Sequence, residues 1–236
     1  MNKELFKKEI DKLDIKIDEE KLEKLNIYAN FLIEYNKHTN LTAITNIEDV
    51  YLKHFYDSIL IAKTYNFTNE KVLDIGTGAG FPGMIIKIFY PNIELTLLDS
   101  NNKKITFLEE LSHKLGINDI NIIQKRAEEL DKREYFDIVT SRAVSNLCIL
   151  SEISLPLVKQ NGYFIPLKGS NEEEIEEAKY AIDKLGGKIE KIYKFTLPIE
   201  ESNRNIIKIK KIKKTDKKYP RQYNQITKNP LKKKEK

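Results

Sequence analysis

The chain has 236 residues, 40% of them hydrophobic and 33% charged, with a net charge of +5; this is room for one packed domain plus an extension, and it excludes global disorder. Cys148 is the only cysteine and there are 3 histidines, which rules out an internal disulfide and a four-cysteine zinc site and argues against any bound metal. No stretch approaches the roughly 18 apolar residues of a membrane span, and the first ten residues lack the apolar run of a signal peptide, so a cytoplasmic protein without a membrane partner is expected.

In chain order, residues 3–13 and 19–38 read as helices. In the second, Leu22, Leu25, Tyr28, Ala29 and Leu32 recur at three and four and make one apolar stripe. Asp18 suits its N-cap. A polar loop from Tyr35 to Thr42 precedes a third helix over 47–65, where His54, Asp57 and Ser58 share a face. A lone histidine on such a face most simply packs or hydrogen-bonds. Strands are then expected at 72–75, 93–98, 120–124, 136–141 and 163–167. Helices at 81–90, 102–115, 146–158 and 172–185 alternate with them, Pro82 lying in the first turn of the first and Gly116 capping the second. Segments 189–197 and 205–212 have no helical pattern between them and should pair as an antiparallel hairpin. The succession gives an α/β fold: a doubly wound, mostly parallel sheet of seven strands with an N-terminal helical extension. The expected division is an extension over 1–66, a core over 67–214 and a basic tail over 215–236. Residues 203–236 carry 14 Lys and Arg against two acids, a net +12 that leaves the rest of the chain at −7. A basic tail on an acidic body points to a polyanionic partner, or more blandly to a solvated, disordered end.

The stretch from Lys71 to Gly83 organises the chain. Asp74 stands near the end of a short apolar strand, and Gly76, Gly78 and Gly80 follow where the backbone must turn sharply or admit a ligand. Gly78 to Gly83 formally satisfies the dinucleotide pattern G-x-G-x-x-G. Counted from Gly76, however, Phe81 occupies the place of the third glycine, and a second acid, Asp99, ends the next strand 23 positions on. An acid suits a ribose because its oxygens accept from both hydroxyls. An aspartate in the strand, G-x-G-x-G and a second acid look like S-adenosylmethionine binding, and the closing hairpin favours a class I methyltransferase sheet over a dinucleotide one. A glycine turn holding no ligand is the plainer alternative. In an open α/β sheet ligands bind beyond the carboxyl ends of the strands. Glu128 and the backbone of Ala127 are therefore placed to meet an adenine. Arg142 could pair a cofactor carboxylate, hold a phosphate, or form an ordinary salt bridge with Asp137 or Glu128.

These residues carry a resemblance. Asn36-Lys37 with Asn40-Leu41-Thr42, His54 with Asp57-Ser58, Asp74 through Gly83, Leu98-Asp99-Ser100, Arg126-Ala127-Glu128, Ser141-Arg142-Ala143, Lys168-Gly169 and Tyr219-Pro220-Arg221 together resemble the bacterial 16S rRNA guanine-N7 methyltransferase G family, also called glucose-inhibited division protein B. The likeness runs from about Tyr35 to Leu231. It implies cofactor contacts at Gly76, Phe81, Ala127, Glu128 and Arg142, and methyl transfer from S-adenosyl-L-methionine to one guanine of small-subunit rRNA, with the 16S rRNA, the small ribosomal subunit or its precursor as partner. The chain departs from the pattern at Tyr35, commonly Trp, and at Asn224 and Ile226, where the family has Gly and Pro; Lys228 and Pro230-Leu231 are kept.

Guanine N7 carries a free lone pair, so no general base and no cysteine nucleophile is required, and the work is positioning. No residue is assigned as an acid or base; Arg142 has at most a positioning role. Cys148, read as mid-helix, is expected to be a core thiol. Lys168, Arg221 and Lys228 are the expected RNA contacts, and the protein is expected to act as a monomer. Two other readings remain: a methyltransferase acting on a small molecule or protein, and a non-enzymatic RNA-binding factor.

Overall fold

The computed structural model describes residues 1–233; the end of the expected tail, from Lys234, lies outside them. Helix α1 (Lys3–Lys12) starts at Asn2, whose side chain accepts from the Leu5 N–H, and α2 (Glu19–Thr39) starts at Asp18, which accepts from Lys21. The third helical stretch is not the uniform α-helix expected. It runs as α3 (Ile47–Asp49), a π-helical segment Val50–Tyr56, α4 (Asp57–Ile59) and a 3-10 turn Leu60–Lys63. Five of the seven π residues are buried; Tyr51 and Phe55 are in edge contact at 5.1 Å, Tyr51 meeting Phe6 of α1 and Phe55 meeting Tyr28 of α2.

The core then alternates: β1 (Lys71–Ile75), α5 (Gly83–Phe89), β2 (Glu94–Asp99), α6 (Asn102–Leu115), β3 (Ile120–Gln124), β4 (Phe136–Arg142), α7 (Leu147–Ser154), β5 (Val158–Lys168), α8 (Glu172–Lys184), β6 (Gly187–Thr196), β7 (Asn203–Lys211) and α9 (Tyr223–Lys228). Pro82 is the N-cap of α5 rather than part of its first turn. The helix expected to reach 158 stops at Ser154: a 3-10 turn Leu155–Leu157 holds Pro156, which has no N–H to continue the ladder. The sheet order is β3-β2-β1-β4-β5-β7-β6. The first five strands are parallel, and β7 pairs antiparallel with both β5 and β6. This is the doubly wound, mostly parallel seven-stranded sheet the sequence implies.

One core joins α1, α2 and the third helical stretch to α5, α6 and one face of the sheet, through Phe6, Leu25, Tyr28, Phe55, Phe81, Phe107 and Leu108. The other packs α7 and α8 on the opposite face and includes Tyr219, Ile226 and Leu231. The basic C-terminal segment is thus folded onto the body as far as it is described, not a solvated end.

Candidate functional site

β1 to β5 end along one edge of the sheet, and the chain leaving each of them supplies the site. After β1 the backbone turns through Gly76 (φ +64), Gly78 (φ +62) and Gly80 (φ +100), a region that L side chains avoid. Asp74 pins this turn from within. It is fully buried, and its Oδ2 accepts from the Thr77 hydroxyl at 2.6 Å and the Gly83 N–H at 2.8 Å. A Cβ at Gly83 would lie 2.9 Å from Asp74. Burial pushes the Asp74 carboxyl up to about 7, against the two hydrogen bonds that favour its charge. Gly80 is required by packing, since a Cβ there would lie 2.5 Å from the Tyr28 hydroxyl oxygen. That hydroxyl donates to the Ala79 carbonyl. Phe81 is buried between the rings of Tyr28 (5.2 Å) and His54 (4.4 Å). Asp74, Gly80 and Phe81 therefore shape the underside of the turn, and none of the three lines the cleft above it.

Gly76 does line that cleft, with Asp99, Lys104, Arg126, Ala127, Glu128, Val144 and Tyr223, around a volume of about 260 Å³. Asp99 ends β2; its Oδ2 accepts from the Gly78 N–H at 3.0 Å and its Oδ1 from the Asn101 N–H at 2.9 Å. The acid thus fixes the glycine turn while facing the cleft. Ala127 and Glu128 lie on a 3-10 turn just beyond β3.

A second cleft of about 400 Å³ adjoins the first at Ala143. It is lined by Ile44, Lys53, His54, Asp57, Arg142, Lys168 and Arg204. Its wall is a chain of hydrogen bonds that gathers sequence signals far apart. Asn36 exchanges two bonds with the backbone of Thr42 (2.8 and 2.9 Å). The Thr42 hydroxyl meets His54 Nε2 at 3.1 Å, and His54 Nδ1 accepts from Arg142 at 2.9 Å. Because a guanidinium only donates, Nδ1 carries no proton and Nε2–H points at Thr42. Burial, with the charge of Arg142, pushes His54 down to about 3, so near neutral pH it is an uncharged strut. Arg142 also donates to the Lys53 carbonyl (2.8 Å) and to Asp57 (3.0 Å). Asp57 accepts from Arg204 at 3.1 Å as well. The salt-bridge partner of Arg142 is therefore Asp57, not Asp137 or Glu128. Lys168 reaches the second cleft but is tied to Glu174 and to the Ser145 carbonyl.

Two expectations change. Arg221, expected at the RNA, forms a bidentate pair with Glu152, whose side chain is fully buried, through bonds of 2.7 and 2.6 Å. Its charge is needed there because an unpaired buried carboxylate is costly. Cys148 is a buried thiol as expected, but in the first turn of α7, where its N–H donates to the Asn146 side chain. Lys228 lies exposed on α9. Sequence reasoning missed Lys53, Arg204 and Tyr223. The only signal for Arg204 was a cation just inside the last strand; nothing marked Tyr223.

A profile of the rRNA small subunit methyltransferase G family matches residues 21–207. The chain is 47% identical to the ribosomal RNA small subunit methyltransferase G of Bacillus subtilis, covering 98% of this chain and 99% of that one. It is 46% identical to the Lactobacillus johnsonii protein of the same name, over 98% and 100%. Among solved structures, a methyltransferase from Pyrococcus furiosus superposes with a TM-score of 0.56 at 18% identity, over 67% of this chain and 83% of that one. A SAM-dependent methyltransferase from Aquifex aeolicus gives 0.53 at 16%, over 69% and 93%. These distant likenesses speak to the fold, and the near relatives settle the family: the chain, a class I methyltransferase in architecture, belongs to the rRNA small subunit methyltransferase G family.

Proposed function

We propose that this protein transfers a methyl group from S-adenosyl-L-methionine to N7 of a guanine in the 16S rRNA of the small ribosomal subunit or its precursor. The observation that carries the reading is the pair of adjoining clefts: one joins the glycine turn to two acids, Asp99 and Glu128, and three cations, Lys104, Lys125 and Arg126, and the other sets Lys53, Arg142, Lys168 and Arg204 around a single acid, Asp57. The first set fits the cofactor. Asp99 accepts from ribose hydroxyls, Ala127 and Glu128 meet the adenine, and the left-handed backbone at Gly76 and Gly78 lets the amino-acid end approach. A Cβ at Gly78 would meet only the Gly76 carbonyl oxygen, at 4.0 Å, so the backbone there is open. Asp74, Gly80 and Phe81 act indirectly, by holding the turn in shape. When bound, the cofactor supplies an activated methyl on a sulfonium.

The second cleft suits a base on a polyanion. Lys53, Lys168 and Arg204, paired here with Glu200, Glu174 and Asp57, offer their remaining donors to the guanine carbonyl and to flanking phosphates, leaving the N7 lone pair free. Arg142, which lines the second cleft next to the shared Ala143, is held by Asp57, His54 and the Lys53 carbonyl and so fixes the geometry between donor and acceptor. No group has to take a proton, which agrees with a His54 held neutral and hydrogen-bonded on both nitrogens. Catalysis is alignment of lone pair, methyl and sulfur, with the purine taken out of its stack.

The test is tritium transfer from labelled S-adenosylmethionine to small-subunit particles, and to RNA stripped from them, both from a strain lacking the gene. Label in 7-methylguanine is expected. No label on either acceptor, with cofactor binding intact by calorimetry, would move the reading to a small-molecule or protein substrate.

A further inference from the structure

The C-terminal segment does more than add charge. After β7 it packs against α7 through α9 and reaches the first cleft, seated by three polar ties. Buried Lys211 donates to the carbonyls of Leu155 and Leu185 and to the Thr215 hydroxyl. Arg133 donates to the carbonyls of Thr215, Asp216 and Tyr219 at 2.6 to 2.9 Å. Arg221 grips buried Glu152. Beyond these ties α9 sets Ile226, fully buried, into the second core.

This seating places Tyr223 in the wall of the first cleft, with Gly76, Asp99 and Ala127. Its ring lies under the guanidinium of Arg126 at 4.9 Å. The residue is only partly buried, as an aromatic facing a ligand cleft would be, and the cation on one side limits its freedom. A flat aromatic beside an apolar floor of Ile75, Leu98 and Ile153 is what a purine packs against, and an aromatic ring stacks on any base without reading its edge.

We propose that Tyr223 is an adenosine-contacting residue, so that the C-terminal segment completes the cofactor site and its seating is coupled to cofactor binding. The inference rests on the reading that the first cleft takes S-adenosylmethionine. Coupling is reciprocal: cofactor slows opening of the segment, and loss of the segment weakens the cofactor.

The chain has no tryptophan, so Tyr223→Trp installs a single fluorescent reporter at the proposed contact. S-adenosylhomocysteine, titrated into this variant, should change its emission saturably, with the Kd that calorimetry gives on the same sample. By calorimetry Tyr223→Ala should bind about tenfold more weakly, within the range for removing one aromatic from a base stack, and Tyr223→Phe should match the parent. In the parent protein, hydrogen exchange over 215–231 should slow when S-adenosylhomocysteine is added. If Tyr223→Ala binds like the parent, or if it binds weakly but the tryptophan stays silent at saturation, the inference is overturned while the cofactor reading stands. If the parent itself gives no binding heat, the cofactor reading fails first. Melting of the ligand-free variants separates loss of fold from loss of contact, and where Tyr223→Ala melts early the tryptophan response decides.

Discussion

The first cleft lies between two walls built by different physics. Below the glycine turn, the N-terminal helices press a stack of rings, Tyr28, Phe55, His54 and Phe81, into the sheet, and nearly every atom there is dry. On the far side, the C-terminal segment is held by charge-assisted bonds from Arg133, Lys211 and Arg221, with Tyr219, Ile226 and Leu231 as its apolar anchors. The first wall is part of the main core, so it moves only when the fold fails. The second is one short segment, and it is expected to open at less than the cost of global unfolding.

The largest effect should come from the floor. Phe81→Ala removes a buried ring from the stack and should cost about 3–5 kcal/mol, read as a shift in the urea midpoint. All probes should shift together, since the turn and the helices share one core. A loss confined to cofactor affinity, at full stability, would mean that Phe81 touches the ligand and does not hold the turn.

Arg221→Ala tests the other wall. It strands Glu152, whose side chain is fully buried, while Arg221 itself is 24% exposed. A cost of roughly 1–3 kcal/mol is expected, less than for a fully buried pair. Hydrogen exchange should quicken over 215–231 and stay unchanged in β1 and β4. Uniform quickening would make the segment part of the global unit and erase the contrast between the walls.

Acid probes the floor in a subtler way. His54 is pushed down to about 3 in the folded chain, so it contributes stability that is full above its unfolded value near 6.5 and is lost as pH falls toward 3. Asp74 is pushed up to about 7. Relative to an unfolded value near 3.9, it removes stability as pH rises through the same range. Between about pH 4 and 6.5 the two slopes oppose, each about 1.4 kcal/mol per pH unit at most. The His54→Gln variant, compared with the parent, should therefore lose stability as pH rises across this window. The Asp74→Asn variant should gain it. Urea titrations at pH 4.5, 5.5 and 6.5 check both signs, and parallel curves for parent and variants would show that neither pKa is shifted on folding.

These contrasts explain what the sequence could tell. The strand–glycine–helix unit, Asp99 and the seven-strand order of elements are legible because strand period, turn chemistry and acid spacing are local. The face shared by His54 and Asp57 was visible too, but not that both serve Arg142, since that requires β4 to end beside the third helical stretch. Asp74 read as a ligand contact because an acid in the strand ahead of G-x-G-x-G looks like a cofactor pattern; only its full burial, with Gly83 packed against it, shows that it is sealed in. Arg221 and Tyr223 stand two residues apart in a segment whose charge suggested one shared role. Tertiary seating gives them different ones: the arginine turns to Glu152 and the tyrosine to the cleft. Net charge is a statement about a segment, and a buried counter-charge nearly 70 residues away redirects a single member of it.

The smallest effect should separate the two faces of the C-terminal segment. Tyr223 and Lys228 are five positions apart on α9, which at roughly 100° per residue puts them on different sides of the helix; Tyr223 lines the cleft and Lys228 is exposed. If the outer side meets phosphate, Lys228→Gln should lower the salt slope of RNA binding by a little under one, the value for a single phosphate contact. Calorimetric affinity for S-adenosylhomocysteine should not change, because that lysine is absent from the cleft. Filter binding to 16S rRNA across a range of salt measures the first quantity. An unchanged slope would remove Lys228 from the interface and leave the cations of the second cleft as the phosphate contacts. A fall in cofactor affinity would instead show that the outer side also governs seating, and the segment would then couple RNA and cofactor through one moving element.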